Sequence, residues 1–189
     1  MEKLIPRLQR DGVNADLLSL INSLLAACKE IAVSVNRGAL AGVLGSTDDE
    51  NIQGETQKKL DVISNQILKD AQLQFRQVGK QQVCAGYVLY GASTLLVINT
   101  GGPTRCFTLE AISREFLLTI PELKIPEDTQ EFSVNMANQR FWSSPFKNYI
   151  DDLISGETGV RNKRFNMRWN AAMVGDVHRV LIRGGIFMY

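Results

Sequence analysis

The sequence predicts an α/β protein in which helices come first and a region of short strands follows. Residues 16–37 carry apolar side chains at three- and four-residue intervals, which is typical of an amphipathic helix. From Gln72 onward the chain consists of short β-rich runs separated by turn residues. We therefore expect a helical part, 1–75, and a part with both sheet and helix, 76–189, which together form one incomplete unit.

The helical part is expected to contain two helices joined by a loop. The first helix has Asn14 or Asp16 as its N-cap and ends near Gly38. The following stretch, GALAGVLGSTDDENIQGE, is rich in Gly and polar residues and is expected to form no regular element. The second helix is expected to begin near Thr56, and its apolar face consists of Leu60, Ile63, Ile67 and Ala71.

The second part is expected to begin with an antiparallel meander. Turn signals at Gly91, 100–103 and 110–114 separate its strands. The predicted strands are residues 83–90, 94–99, 105–109 and 116–120. Further along, we expect a strand at 132–135, a short helix at 145–154 and an exposed polar segment at 155–167.

The C-terminal stretch, RWNAAMVGDVHRVLIRGGIFMY, combines a basic residue, a helix and a strand. Residues 170–182 carry apolar side chains at helical spacing, so we expect one broad face of this helix to be buried. Gly184 and Gly185 end the helix, and the strand begins with Ile186. Arg168 precedes the helix and the phenol of Tyr189 closes the stretch, so groups that bind anions lie at both ends.

Composition excludes several functional classes. The 189 residues, with 44% apolar and 22% charged side chains, suit a globular domain with its own core. A net charge of +1 with no basic stripe predicts no nucleic-acid partner. We expect no membrane span and no signal peptide, hence a cytoplasmic protein. A single His excludes a two-His metal site, and Cys28, Cys84 and Cys106 are expected to be reduced thiols.

Three stretches spread along the chain carry distinctive motifs: NIQGETQKKLDVISNQIL at 51–68, AGYVLYGASTLLVINT at 85–100, and NMRW followed by DVHRVLIRGGIFMY at the C-terminus. They resemble the class I fructose-1,6-bisphosphatases. The resemblance implies a layered α/β/α/β/α fold with antiparallel or mixed sheets, and a homotetramer. It also implies Mg²⁺-dependent hydrolysis of the 1-phosphate of fructose 1,6-bisphosphate in gluconeogenesis or Calvin-type carbon metabolism.

The same resemblance implies a catalytic role for two acidic residues. In the family's Gly-acid-x-x-x-Lys-Leu-Asp pattern, Glu55 and Asp61 match the carboxylates that lie beside the metal cluster. If both were helical they would point about 240° apart, so they converge only if Glu55 lies in the loop. Without the resemblance, the favoured explanation is that Glu55 is an acid at a helix N-terminus and Asp61 a solvated side chain.

Four residues are implied to bind substrate. Asn135 and Tyr189 match phosphate contacts, and Arg168 matches a residue that reaches a neighbouring subunit's substrate, a role that suits a guanidinium group. Trp169 stands where the family often has a phosphate-binding Tyr, and it keeps a stacking face and one N–H donor.

Two alternatives apply to residues in these motifs. Arg168 alternatively pairs with a local acid, Asp151 or Asp152. Asp176 and His178 also belong to the C-terminal motif, and a satisfied core or interface role is favoured for His178.

Two family motifs are missing from the chain. The Glu-rich motif and the Asp-Pro-Leu-Asp-Gly-Ser-Ser motif, which supply most of the family's magnesium ligands, occur nowhere in the 189 residues. We therefore assign no metal ligand. The alternative to the phosphatase hypothesis is a family member without catalysis that acts as a sugar-phosphate-binding or subunit-association module.

Overall fold

The structure is a computed structural model that describes residues 1–41, 45–50, 56–58 and 82–188. The chain separates into two compact units, Met1–Glu122 and Leu123–Tyr189. Each unit combines helices with a sheet, which confirms the predicted α/β class. The predicted division between residues 75 and 76 falls outside the described residues and stays a prediction.

The first unit begins with two helices, α1 (Leu4–Arg10) and α2 (Ala15–Arg37). The Asn14 side chain accepts a hydrogen bond of 2.8 Å from the Leu17 N–H, so Asn14 is the N-cap of α2. Helix α2 ends at Gly38, as the sequence predicts, and a short 3-10 helix, Gly38–Ala41, follows it.

Helix α2 is long and apolar enough to cross a membrane if only length and composition are considered. Length and composition alone therefore do not support the expectation of no membrane span for α2. Long helices in the core of a soluble protein can be equally apolar. Ile21 and Leu25 of α2 are buried in one hydrophobic cluster with Leu96 and Phe107, so α2 has the contacts of a core helix in the first unit.

The stretch after α2 departs from the prediction. Strands β1 (Ser46–Glu50) and β2 (Thr56–Lys58) pair in antiparallel orientation, with Ser46 opposite Lys58. The prediction of no regular element and the predicted helix start near Thr56 are therefore both wrong. Pairing between strands satisfies backbone groups in a way that local propensity does not reveal. The predicted apolar helix face, Leu60, Ile63, Ile67 and Ala71, lies outside the described residues.

The antiparallel meander is confirmed. Each strand pairs with the next in the order β3 (Ala85–Leu89), β4 (Leu95–Asn99), β5 (Arg105–Leu109) and β6 (Phe116–Ile120). The buried Arg105 of β5 makes a two-pronged contact with Asp11, at 2.7 Å and 3.1 Å. This pair ties the segment that joins α1 to α2 onto the sheet.

The second unit is built on a parallel sheet with strand order β8-β7-β9. Its strands and helices are β7 (Glu131–Val134), α3 (Ser144–Ser155), β8 (Asn166–Met167), α4 (Met173–Arg183) and β9 (Ile186–Met188). In the register, Phe132 of β7 lies between Met167 of β8 and Ile186 of β9. The predicted strand and short helix are thus confirmed to within a residue or so, whereas the segment predicted as exposed at 155–167 ends in strand β8.

Two glycines allow β9 to approach β7 closely. Gly184 and Gly185 have φ angles of 72° and 110°, a region that side chains disfavour. A Cβ atom on Gly185 would lie 2.4 Å from the carbonyl oxygen of Glu131. The Gly-Gly pair therefore ends α4, as predicted, and also permits the parallel pairing.

The broad buried apolar face predicted for the C-terminal helix is not observed. Met173 and Val177 are 65% and 36% exposed, whereas the fully buried residue of α4 is Asp176, at 0% exposure. Helical spacing reports that apolar residues share a face but not what that face contacts. Here the buried position of the helix holds a carboxylate that contacts polar groups at the sheet.

Candidate anion-binding site

The candidate site lies where the three parallel strands end. Arg168 and Trp169 directly follow β8, Asn135 directly follows β7, and Tyr189 follows β9 in the sequence. Parallel strands end at the same edge of a sheet, and ligands of open α/β sheets bind at that edge. The pairing thus assigns Arg168, Trp169 and Asn135 to the ends of adjacent strands, while Tyr189 lies outside the described residues.

The backbone of Arg168 is hydrogen-bonded to the sheet, and its guanidinium group is exposed. Its N–H donates to the carbonyl oxygen of Phe132 at 2.8 Å. Its side chain is 54% exposed, and Nε lies 3.9 Å from Oε1 of Glu131. The local acid of the structural alternative is therefore Glu131 and not Asp151 or Asp152. An ion pair at this distance, with its guanidinium group more than half exposed, contributes little stability, so the guanidinium group is accessible to a ligand.

Glu131 is surrounded by three guanidinium groups. Besides Arg168, Arg183 Nη1 lies 3.2 Å from Oε1 and Arg179 Nε lies 3.4 Å from Oε2. The Arg179 contact is an ion pair by distance but lacks hydrogen-bond geometry, since Oε2 is a buried oxygen without a hydrogen bond to the described residues. The cluster thus holds three guanidinium groups and two carboxylates, those of Glu131 and Asp176. The excess positive charge favours an anionic ligand.

A buried network joins α4 to the end of β8. Asp176 Oδ1 lies 2.8 Å from Arg179 Nη2 and 3.0 Å from the Ser133 hydroxyl, and Oδ2 accepts from the Asn170 N–H at 3.3 Å. Arg179 Nη2 also donates to the carbonyl oxygen of Arg168 at 3.1 Å. The Ser133 hydroxyl makes a short contact with the same carbonyl oxygen. The backbone of Arg168 is thus fixed by side chains of both β7 and α4.

Trp169 and Asn135 are also held in place. The Trp169 ring is stacked on Phe187 of β9, with 5.8 Å between the ring centroids and 6° between the planes. The Asn135 Oδ1 atom accepts a hydrogen bond of 3.1 Å from the Ala137 N–H and caps a short 3-10 helix, Met136–Phe141. The NH₂ end of the same amide is a hydrogen-bond donor.

Glu131, Ser133 and Arg179 were not among the predicted site residues. A signal existed for Arg179, because it stands three residues after Asp176 and therefore on the same helix face. Glu131 and Ser133 are two residues apart in a strand and share one face of the sheet. Recognising that face as part of a site required the parallel pairing with β8, which local sequence does not display.

The predicted catalytic acids, Glu55 and Asp61, lie outside the described residues, and their role stays a prediction. Within the part of the chain that the structure describes, no three His, Cys, Asp or Glu side chains come together as a metal ion would require.

Comparison with solved structures first defines the class of protein. The chain matches fructose-1,6-bisphosphatase from Leishmania major in its holo form with a TM-score of 0.88 and 26% identity, over 100% of this chain and 78% of that one. This similarity identifies the fold as that of the sugar-phosphate phosphatases.

Sequence comparisons identify the family. Residues 6–77 match the model for the N-terminal domain of fructose-1-6-bisphosphatase and residues 125–189 match the model for its C-terminal domain. Fructose-1,6-bisphosphatase class 1 of Cellvibrio japonicus is 51% identical and that of Saccharophagus degradans 46% identical, each over 100% of this chain and 78% of the relative. The chain belongs to the class 1 fructose-1,6-bisphosphatase family.

The alignment also locates a difference from these relatives. It runs over 252 residues, whereas the chain has 189, so part of the aligned region of each relative has no counterpart here. The two motifs that are missing from the sequence agree with this difference.

Burial of His178 on α4 predicts a pH-dependent stability. Burial lowers the pKa of the imidazole below its ordinary value of 6.5, so the folded protein favours the neutral ring. The unfolded chain takes up a proton first as the pH falls. The contribution of His178 to stability is therefore complete above pH 6.5 and is lost as the pH falls from 6.5 through the folded-state pKa.

Urea denaturation at about pH 7.5 and about pH 5.5 measures this effect, because the two values lie on either side of the ordinary imidazole pKa of 6.5. The wild-type protein should lose more stability between the two values than His178→Gln, which keeps every carboxylate and so corrects for acid titration. Since the sequence has one His, proton NMR reports its titration directly. A folded-state pKa at or above 6.5 would contradict the account.

Proposed function

We propose that this protein hydrolyses the 1-phosphate of fructose 1,6-bisphosphate and releases fructose 6-phosphate and phosphate. Relatives named fructose-1,6-bisphosphatase class 1, at up to 51% identity, support this proposal. The observation that carries it to the residues of this chain is the assignment of Arg168, Trp169 and Asn135 to the ends of adjacent parallel strands, next to a cluster with excess positive charge.

Each of these residues has a role that matches its chemistry. The guanidinium group of Arg168 binds phosphate through two parallel hydrogen bonds. Trp169 packs its ring face against the sugar and donates one N–H, while Asn135 donates from its amide NH₂ group. Tyr189 adds a phenolic donor. The proposed working form is a homotetramer in the cytoplasm, in which Arg168 contacts the substrate of a neighbouring subunit.

The proposed reaction depends on a divalent metal ion, with magnesium as the expected metal. Such an ion supplies the charge stabilisation that phosphate-ester hydrolysis requires. Glu55 and Asp61 are the proposed catalytic acids on the strength of their sequence pattern. The contribution of the described residues is to bind and orient the sugar phosphate.

Phosphate release from fructose 1,6-bisphosphate by the expressed chain, with and without magnesium, tests the proposal. We expect release with magnesium, none after chelation with EDTA, and none with fructose 6-phosphate as the control substrate. Absence of release under all conditions, while calorimetry still detects binding of fructose 1,6-bisphosphate, would contradict the catalytic proposal. That outcome would support the alternative of a sugar-phosphate-binding module.

Replacement of Arg168 tests the binding role. Arg168→Ala should weaken binding of fructose 1,6-bisphosphate by about thirtyfold, equivalent to about 2 kcal/mol, because a charge-assisted contact is lost. The melting temperature should hardly change, since the side chain is 54% exposed. Arg164→Ala, another exposed arginine of the same unit, is the matched control. Unchanged affinity together with a lowered melting temperature would show that Arg168 serves only the ion pair with Glu131.

A further inference from the structure

The carbonyl oxygen of Arg168 is the point at which the buried network meets the candidate site. It accepts from Arg179 Nη2 at 3.1 Å and makes a short contact with the Ser133 hydroxyl. The N–H of the same residue donates to Phe132 at 2.8 Å. Both backbone groups of Arg168 are therefore engaged, although its side chain extends into solvent.

The Ser133 hydroxyl and Arg179 Nη2 differ in the number of protons that each can donate to this carbonyl oxygen. The hydroxyl of Ser133 lies 3.0 Å from Asp176 Oδ1 as well as against the Arg168 carbonyl, but it has one proton and donates to one acceptor at a time. Arg179 Nη2 has two protons and can donate to both acceptors at once. Arg179 is therefore the group that connects the buried carboxylate to the backbone of Arg168.

The position of Asp176 explains why Arg179 is held so firmly. Asp176 is 0% exposed, and a buried carboxylate is tolerated only when it is paired and hydrogen-bonded. The requirement fixes Nη2 of Arg179, while Nε of the same guanidinium lies 3.4 Å from Glu131. One rigid, planar group thus contacts the acid that pairs with the Arg168 side chain and also the Arg168 backbone.

We propose that Arg179 and Asp176 are positioning residues for the phosphate site, which fix the backbone of Arg168 so that its guanidinium group is presented at the end of β8. The inference rests on the proposed phosphate-binding role of Arg168. Ala171, three residues further on, has a φ of 55°, so the connection between β8 and α4 contains a disfavoured conformation that the network must hold. Without the contacts to the Arg168 carbonyl oxygen, the backbone of Arg168 would have to become ordered when the ligand binds, and this cost weakens affinity.

A purely structural role for the same pair would have a different signature. If Arg179 and Asp176 only hold α4 in place, their loss lowers the melting temperature and weakens binding by the same factor whether or not Arg168 has its side chain. A positioning effect passes through the Arg168 side chain. It must therefore largely disappear when that side chain is removed.

A double-mutant cycle on the full chain distinguishes these roles. Calorimetry measures the Kd of fructose 1,6-bisphosphate for the wild-type protein, Arg179→Met, Arg168→Ala and the double variant, and melting temperatures are recorded in parallel. We expect Arg179→Met to weaken binding by about tenfold in the wild-type background and by less than about threefold in the Arg168→Ala background. Equal factors in both backgrounds would overturn the inference.

Ser133→Ala provides a second variant if Arg179→Met does not fold. It removes one contact to the Arg168 carbonyl and leaves the pair between Asp176 and Arg179 in place, and its effect on affinity should also depend on the Arg168 side chain. The experiment distinguishes failure of the binding role of Arg168 from failure of the positioning role of Arg179. If Arg168→Ala alone leaves affinity unchanged, the proposed role of Arg168 is wrong. If Arg168→Ala weakens binding but shows no coupling with Arg179 or Ser133, only the positioning role is wrong.

Discussion

The buried pair between Asp176 and Arg179 is the interaction on which the second unit's site depends. Asp176 has no exposed surface, so its charge requires a partner, and Arg179 supplies it at 2.8 Å. Satisfying that requirement places a guanidinium group beside both Glu131 and the Arg168 carbonyl. The ion pair that allows the Asp176 carboxylate to be buried therefore also orders the end of β8.

The parallel pairing of the strands places the ordered end of β8 at the same sheet edge as the ends of β7 and β9. Because β8, β7 and β9 run in the same direction, the residues that follow them in sequence are assigned to one edge. Gly185 makes the pairing possible, since a Cβ atom there would lie 2.4 Å from the Glu131 carbonyl oxygen. The same arrangement stacks Trp169 against Phe187. Fold and candidate site thus depend on the same few contacts.

Local signals in the sequence were sufficient for much of the fold. Helical spacing and the Asn14 cap predicted α2, and turn residues predicted the meander of β3 to β6, because each signal lies within the element that it describes. The pairing of β1 with β2 and the burial of Asp176 were missed, since both depend on partners distant in sequence. The family resemblance predicted roles for Arg168, Trp169 and Asn135, but it pointed to neither the acid Glu131 nor the hydroxyl of Ser133, which contact Arg168.

The central claim is that the carboxyl edge of the parallel sheet binds a sugar phosphate, and the two tryptophans of the chain report on it directly. Trp169 lies at that edge, whereas Trp142 packs edge-on against Phe146, and both of these rings pack against the core cluster of the unit. Heteronuclear NMR of the indole N–H groups should show, as fructose 1,6-bisphosphate is added without magnesium, a saturable shift of the Trp169 signal and little change of the Trp142 signal, with Trp142→Phe assigning the two. A stationary Trp169 signal at concentrations where calorimetry detects binding would contradict the claim.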